Sequence, residues 1–147
     1  MALLDAGPLL EARLKARCPS VGDNVFSTED LAGVKERGQV HPALHVVLHS
    51  YRPLSDDDGG CSRWREIWLV VALVKNARQN AGTGYVRLAA APLLAEAVAA
   101  LDGWRCPGVV GLVRAIDPPN PLITDGFGYF PLAFAVETVT EGADGVV

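Results

Sequence analysis

An unbroken apolar run between Trp64 and Asn76 predicts the central strand of the fold. After Glu66, eight apolar residues follow one another, and many are β-branched or aromatic, which favours a strand over a buried helix. Alternation places Ile67 and the odd-numbered residues on one face, and Trp68 and the even-numbered residues on the other. Because both faces are apolar, we expect other layers of the protein to cover this strand on two sides.

Periodicity along the rest of the chain predicts the elements that surround this strand. Further strands are predicted at 41–51, 109–116 and 129–140, helices at 2–17 and 84–101, a short helix at 31–37 and a possible short strand at Val25 and Phe26. This order predicts an α+β fold, a four-stranded mixed or antiparallel sheet with helices packed on one face. We expect one domain over residues 1–140 and a flexible tail over residues 141–147.

The helix predicted at 84–101 carries one stripe of apolar residues that suits a sheet. Leu94, Ala97, Val98 and Leu101 recur at helical spacing. Leu94, Val98 and Leu101, together with Trp104, are expected to pack on the Ile67 face of the central strand, or on the Trp68 face if the register is reversed. Two helices cover only one face of such a sheet, so the other apolar face predicts a neighbouring subunit.

The connection between the two best strands, residues 52–63, is polar and rich in turn-forming residues. Its centre is Asp56, Asp57, Asp58, Gly59 and Gly60. A calcium loop is excluded because carboxylates do not alternate and no closing Glu follows. Two interpretations stay open: a solvated hairpin tip, or a contact loop.

Three histidines at four-residue spacing, His41, His45 and His49, suggest a metal site only if the segment is helical. Pro42 and the β-branched residues favour a strand, in which His45 and His49 lie roughly 13 Å apart at ~3.3 Å per residue. One zinc ion with bonds of ~2.1 Å does not bridge that distance, so we predict no metal site. The alternative is a semi-polar sheet face that meets solvent or a partner. The candidate subunit-interface residues are His45, His49, Tyr51 and Trp68.

Composition narrows the classes of function that remain. The chain has 147 residues, a formal net charge of −4 and three scattered cysteines, Cys18, Cys61 and Cys106. This pattern predicts reduced intracellular thiols and argues against a dedicated nucleic-acid binder. No apolar run nears the ~18 residues of a membrane span and no signal peptide opens the chain, so we expect a cytoplasmic, non-membrane protein. No cysteine has an activating motif with a histidine, so we predict no catalytic residue.

Four short motifs in a fixed order resemble one family. They are Pro42–Val46, Trp68–Val71 closing on Asn76, Leu93-Leu94 with Ala100–Trp104, and Gly126–Phe134. Over residues 3–140 the chain resembles the tail-terminator-like proteins of Mu-like phages and prophages, which are similar to the lambda tail terminator. The family pattern carries no catalytic residue and no cofactor.

The resemblance implies a structural virion protein assembled in the host cytoplasm. Such α+β subunits form a hexameric ring on the head-proximal end of the tail tube. The ring stops tube polymerisation and offers a docking surface to head-completion proteins, and DNA passes through its lumen without sequence-specific binding. The alternatives are another ring-forming virion subunit, such as a tail-tube or head-completion protein, and a small cytoplasmic enzyme.

Overall fold

The computed structural model describes residues 3–30, 33–34, 40–54, 61–75, 83–124 and 126–141. The helices are α1 (Ala6–Arg17) and α2 (Thr83–Leu101). The strands are β1 (Val25–Thr28), β2 (Ala43–Pro53), β3 (Cys61–Lys75), β4 (Val110–Ile116), β5 (Leu122–Ile123) and β6 (Phe127–Glu141). The sheet runs β1-β2-β3-β6-β4, and β5 also pairs with β6.

The α+β class and the mixed sheet are confirmed, but the predicted number of strands is wrong because the sheet has six rather than four. β1 has four residues and pairs parallel to β2, while the other pairs are antiparallel. β5 has only two residues and follows a proline-rich segment. Neither strand is long enough to show the alternation that marked the others.

β3 is central, as predicted, and lies between β2 and β6. Its whole length pairs with β6, from Cys61 opposite Glu141 to Lys75 opposite Phe127. Pro131 is in β6 opposite Val71, and the described pairs of β5 and β4 with β6 lie on either side of it. Proline cannot donate a backbone hydrogen bond and is tolerated where a strand has no partner on one side. Pro131 meets this condition, because its outer side faces the gap between the residues of β6 that pair with β5 and those that pair with β4.

Both helices pack on the even-numbered face of β3, called the helix face below. The main core joins Leu10 and Leu14 of α1 and Val86 and Leu93 of α2 to Val70 of β3. The register is therefore the reversed alternative, with α2 on the Trp68 side and not on the Ile67 side. The predicted stripe is also shifted: Ala97 and Leu101 are buried, whereas Val98 is 36% exposed.

The odd-numbered face, called the second face below, has a core of its own within the subunit. Leu69, Val71 and Leu73 are at most 1% exposed and cluster with Val34 and Tyr129. The expectation that a neighbouring subunit must cover this part of β3 is wrong, because Val34, from the segment between β1 and β2, lies on it. The sequence did not predict this because the segment has too few apolar residues to look like a layer.

The segment around Val34 and the C-terminal end are only partly described. Gly33 and Val34 form a helical turn, in which the Asp30 carboxylate accepts a hydrogen bond from the Gly33 N–H at 2.7 Å. Asp30 therefore caps the start of this turn. The rest of the predicted helix at 31–37 and residues 142–147 lie outside the described residues, whereas Glu141 ends β6.

α2 corrects the expectation that no apolar stretch approaches membrane-spanning length. Residues Gly84–Leu101 form a helix of 18 residues with a mean hydropathy of 1.4, which meets the length and composition of a span. Its buried residues, including Val86, Ala90 and Leu93, pack on the sheet. The core helix of a soluble protein meets the same two criteria.

Candidate assembly surface

The ends of β2, β3 and β6 form a three-stranded arm that extends past β1 and, beyond its base at Glu137, also past β4. We define this arm as Ser50–Pro53, Cys61–Glu66 and Val136–Glu141. The last described pair between β1 and β2 is Thr28 opposite Val47, and the last pair between β4 and β6 is Val110 opposite Glu137. Within the described part of the chain, no strand pairs with β2 beyond Val47 on its outer side. An unpaired strand edge is a ready site for contact with another chain.

A β-bulge decides which side chains each side of the arm presents. The register of β2 on β3 shifts between Leu48, opposite Trp68, and Ser50, opposite Ile67. His49 is the extra residue, and the residues after it are turned to the other face. Tyr51 therefore lies opposite Glu66 on the helix face, while His45 and Val47 lie on the second face. The predicted continuous face of His45, Val47, His49 and Tyr51 does not exist.

The helix face of the arm is aromatic. Tyr51 is 50% exposed, and its ring centroid lies 6.1 Å from that of Trp64. Trp64 is half-buried and donates from Nε1 to Thr140 Oγ1 at 3.1 Å. The exposed Pro53 is directly opposite Trp64. Partly exposed tyrosine and tryptophan side chains of this kind are enriched at protein interfaces.

The second face of the arm is basic and is called the arginine side below. Arg52 lies directly opposite Arg65, and Arg63 is two residues further along β3 on the same face. Arg52 and Arg63 are exposed, and Arg65 is half-buried with its Nε lacking a hydrogen-bond partner in the described structure. The carboxylates on this face are Glu137, opposite Arg65, and Glu141, opposite Cys61.

A buried carboxylate joins the root of the arm to the N-terminal segment. Glu66 is 0% exposed and accepts three hydrogen bonds: from Leu4 N–H at 3.1 Å, from Trp68 Nε1–H at 2.9 Å and from Thr138 Oγ1–H at 3.1 Å. Three donors compensate for part of the cost of removing this carboxylate from water. The Trp68 ring also lies against Gly7 of α1, so Glu66 fixes the helix and the arm to one another.

Two of the four predicted interface residues lie in the interior of the subunit. Trp68 is 8% exposed beneath α1, and His45 is 0% exposed with its Nδ1 2.8 Å from Thr28 Oγ1. Neither side chain is exposed on the surface of the folded chain. Tyr51 and His49 are exposed, and they stand beside the bulge at the base of the arm.

The predicted contact loop is shorter than its sequence suggested. Arg52 and Pro53 are paired in β2, and Cys61 to Arg63 are paired in β3. Leu54 N–H donates to Arg63 O at 2.7 Å, which closes the hairpin at that level. The predicted site residues Asp56, Asp57, Asp58, Gly59 and Gly60 lie outside the described residues.

The two cysteines whose side chains are described, Cys18 and Cys106, are buried in the core. Burial, together with the nearby Glu96 carboxylate, raises the pKa of the Cys18 thiol from 9.0 to about 11. Burial also raises the pKa of Cys106, so neither thiol is a nucleophilic thiolate near neutral pH. No group of three or more metal-ligating side chains occurs within the described ranges. The Cys61 side chain lies outside the described structure.

Sequence reasoning missed both Glu66 and the arginine side. Glu66 was visible as an acid that begins an apolar strand, but its burial depends on Leu4 and Thr138, which are 62 and 72 residues away. Arg52 and Arg65 become neighbours only through the register that the bulge sets. Alternation within β3 alone places Arg63 and Arg65 on one face, and this pattern could have indicated a basic face from the sequence.

The described residues define a class of protein: a small α+β protein whose distinctive feature is a protruding three-stranded arm. Comparison with known families then identifies it. The chain belongs to the phage tail terminator protein family, whose model matches residues 1–143. It is therefore a structural protein of a phage virion, in agreement with the resemblance seen in the sequence.

A solved structure has the same fold. A chain of the structure titled "Virion of native gene transfer agent (GTA) particle" is similar, with a TM-score of 0.63 and 16% sequence identity. The match covers 95% of this chain and 100% of that chain. No curated protein matches in sequence.

Proposed function

We propose that this protein forms a ring, with six subunits expected, on the head-proximal end of the phage tail tube. The ring ends tube polymerisation and provides the docking surface for head-completion proteins. The observation that carries this proposal is the family match over residues 1–143, which leaves only the last four residues outside. The similarity to a chain of a phage-like particle adds support at the level of the fold.

The arm supplies the surface that such an assembly needs. The arm projects beyond β1, and its outer edge on β2 is unpaired within the described residues. It carries tyrosine, tryptophan and arginine, the residue types that contribute most to binding energy at interfaces. We propose Tyr51 and His49, at its base, as contacts to a neighbouring subunit. Asp56, Asp57, Asp58, Gly59 and Gly60, in the segment that connects β2 to β3, are proposed contacts to a neighbour or to the tail tube.

DNA is proposed to pass through the ring without being bound by sequence. The formal net charge is −4, and a net acidic protein repels the phosphate backbone over distances of about a Debye length. No membrane partner and no cofactor enter the proposal.

The oligomeric state of the purified protein separates this function from its alternatives. Size-exclusion chromatography with light scattering is expected to give a closed oligomer of one defined mass. A long polymer would favour a tail-tube protein. A monomer that neither assembles alone nor joins purified tails would count against the ring and favour the enzyme alternative.

A further inference from the structure

We propose that the outer side of α2 binds α2 of a second copy of this chain, with the two helices antiparallel. This surface, called the outer stripe below, consists of residues that α2 and the turn after it leave exposed or half-buried: Gly84, Leu88, Ala91, Ala95, Val98 and Asp102. The contact is separate from the arm and goes beyond the proposed ring.

α2 is apolar on the side that its own subunit leaves open. Residues Gly84–Leu101 have a mean hydropathy of 1.4, yet only 33% of this stretch is buried. Leu88 is 76% exposed, more than any other large hydrophobic side chain in the described part of the chain. An apolar surface left in water in this way marks a site of contact with another molecule.

The spacing of the outer stripe indicates that its occupant is a helix. Its residues recur at alternating intervals of four and three, which is the pattern of the a and d positions along which two helices pack on one another. A lipid surface is not favoured, because helices that lie on membranes carry several Lys or Arg residues on their polar face, whereas Arg87 is the single cation of α2.

The sizes of the side chains fit an antiparallel pair centred at the level of Leu93. In that arrangement Leu88 of each copy lies opposite Val98 of the other, and Ala91 lies opposite Ala95 of the other. The alanines at the centre allow the two helix axes to approach closely, and the larger side chains fill the space towards the ends.

The charges at the two ends of α2 select the antiparallel direction and a second copy as the occupant. Asp102 of one copy would lie at Gly84 of the other, in the first turn of α2. A Cβ at Gly84 would be 3.9 Å from Arg87 Nη2, so a guanidinium group is beside that position. Asp102 is held in place because its N–H donates to Val98 O at 2.9 Å and its Oδ1 accepts from Ala115 N–H at 3.0 Å. A carboxylate is stabilised both by a guanidinium group and by the positive end of a helix, whereas a parallel pair would bring like charges together.

The symmetry of this contact separates it from the contacts of the proposed ring. An antiparallel pair of identical helices is isologous and has a two-fold axis, but neighbours in a ring of six are not related by a two-fold axis. The helix pair therefore joins subunits of different rings, or two subunits that have not yet entered a ring. In both cases, loss of the pair halves the mass of the free protein.

A charge at the centre of the outer stripe tests the contact. Ala95→Glu places an unpaired carboxylate opposite Ala91 of the second copy, and native mass spectrometry is expected to show half the wild-type mass. The matched control is Ala12→Glu, the same change at an exposed position of α1, which is expected to keep the wild-type mass. Thermal melts of both variants check that the subunit is folded. An Ala95→Glu protein with the wild-type mass, or a wild-type protein that is monomeric at high concentration, would overturn the inference.

Disulfide formation between two single-cysteine positions tests the direction of the pair. Leu88→Cys and Val98→Cys are made separately in a chain that also carries Cys61→Ser, and Cys18 and Cys106 stay because both are buried. Mild oxidation of the mixed variants is expected to give a covalent dimer that contains one chain of each. Each variant alone is expected to give almost none, because ten residues along antiparallel helices separate equal positions by about 15 Å, and a disulfide needs Cα atoms within about 7 Å. Efficient dimers from each variant alone, or none from the mixture, would contradict the antiparallel pair.

The same variants distinguish a second copy from another virion protein as the occupant. An Ala95→Glu protein that keeps the wild-type mass but no longer allows heads to join tails would assign the outer stripe to that other protein and overturn the inference. The proposed function is tested separately by the tail length that the wild-type protein restores in a phage lacking the gene. Its failure there would contradict the ring and leave the measurements of mass and of disulfide formation to decide on the helix pair.

Discussion

Replacing Glu66 by leucine tests the role of the buried carboxylate most sharply. The change leaves three donors without their acceptor: Leu4 N–H, Trp68 Nε1–H and Thr138 Oγ1–H. Each buried donor that loses its partner costs about 1–3 kcal/mol. The Leu4 amide is only partly buried and the threonine hydroxyl can rotate, and removing a desolvated charge offsets part of the loss. We therefore expect Glu66→Leu to lower the free energy of unfolding by about 2–4 kcal/mol.

That loss is a large share of the roughly 5–15 kcal/mol that stabilises a typical domain. At about 2–4 °C per kcal/mol for a chain of this size, Tm is expected to fall by roughly 5–15 °C in a thermal melt followed by circular dichroism. The matched control is the triple variant Glu66→Leu, Trp68→Phe and Thr138→Val, which removes two donors together with the acceptor and is expected to recover most of the loss. A Glu66→Leu protein within about 0.5 kcal/mol of wild type, or a triple variant no more stable than the single one, would refute the reasoning.

Three further predictions concern the core. Val71→Asp, at a position that is 0% exposed, is expected to abolish soluble expression because an unpaired buried charge costs several kcal/mol, and normal solubility would contradict the assigned centre of the sheet. Gly7→Ala is expected to destabilise the protein by about 1–3 kcal/mol in urea unfolding, since an added Cβ would lie 2.8 Å from Cη2 of the buried Trp68 ring. Gly33→Ala would place a Cβ 2.8 Å from a Thr28 methyl group and 3.5 Å from Asp30 Oδ1, and it is expected to cost less because the small Thr28 side chain yields more easily than the indole ring. The free energy of unfolding is expected to fall as pH rises from 9 towards 11, because the folded state holds the Cys18 proton up to a pKa of about 11 while the unfolded chain releases it near 9.0. Cys18→Ala should flatten that fall, and an unchanged pH profile would refute this assignment.

The sequence pattern predicted correctly those helices and strands whose own residues carry a clear hydrophobic periodicity. The long apolar run of β3 was enough to predict a central strand. The helix expected at 84–101 is found at Thr83–Leu101, because its apolar residues recur at helical spacing. Short strands carry a weaker signal: β1 was predicted only as a possible strand at Val25 and Phe26, and β5, with two residues, was not predicted. Two to four residues form a strand only where a partner of suitable register is present.

The candidate assembly surface depends on contacts between residues that are far apart in the chain, and sequence periodicity does not show which residues make such contacts. The insertion of His49 as a bulge turns Tyr51 to the other face and brings Arg52 opposite Arg65. The burial of Glu66 likewise depends on an N-terminal amide and a residue of β6. The second face of β3 shows the same limit, because Val34 packs on a surface for which the sequence predicted a neighbouring subunit.

Tail length in a phage that lacks this gene tests the proposed function most directly. Tails assembled without the protein are expected by electron microscopy to be overlong tubes without heads, and wild-type protein supplied in trans should restore one uniform length and joined heads. Tails of normal, uniform length that join heads in the complete absence of the protein would contradict the account.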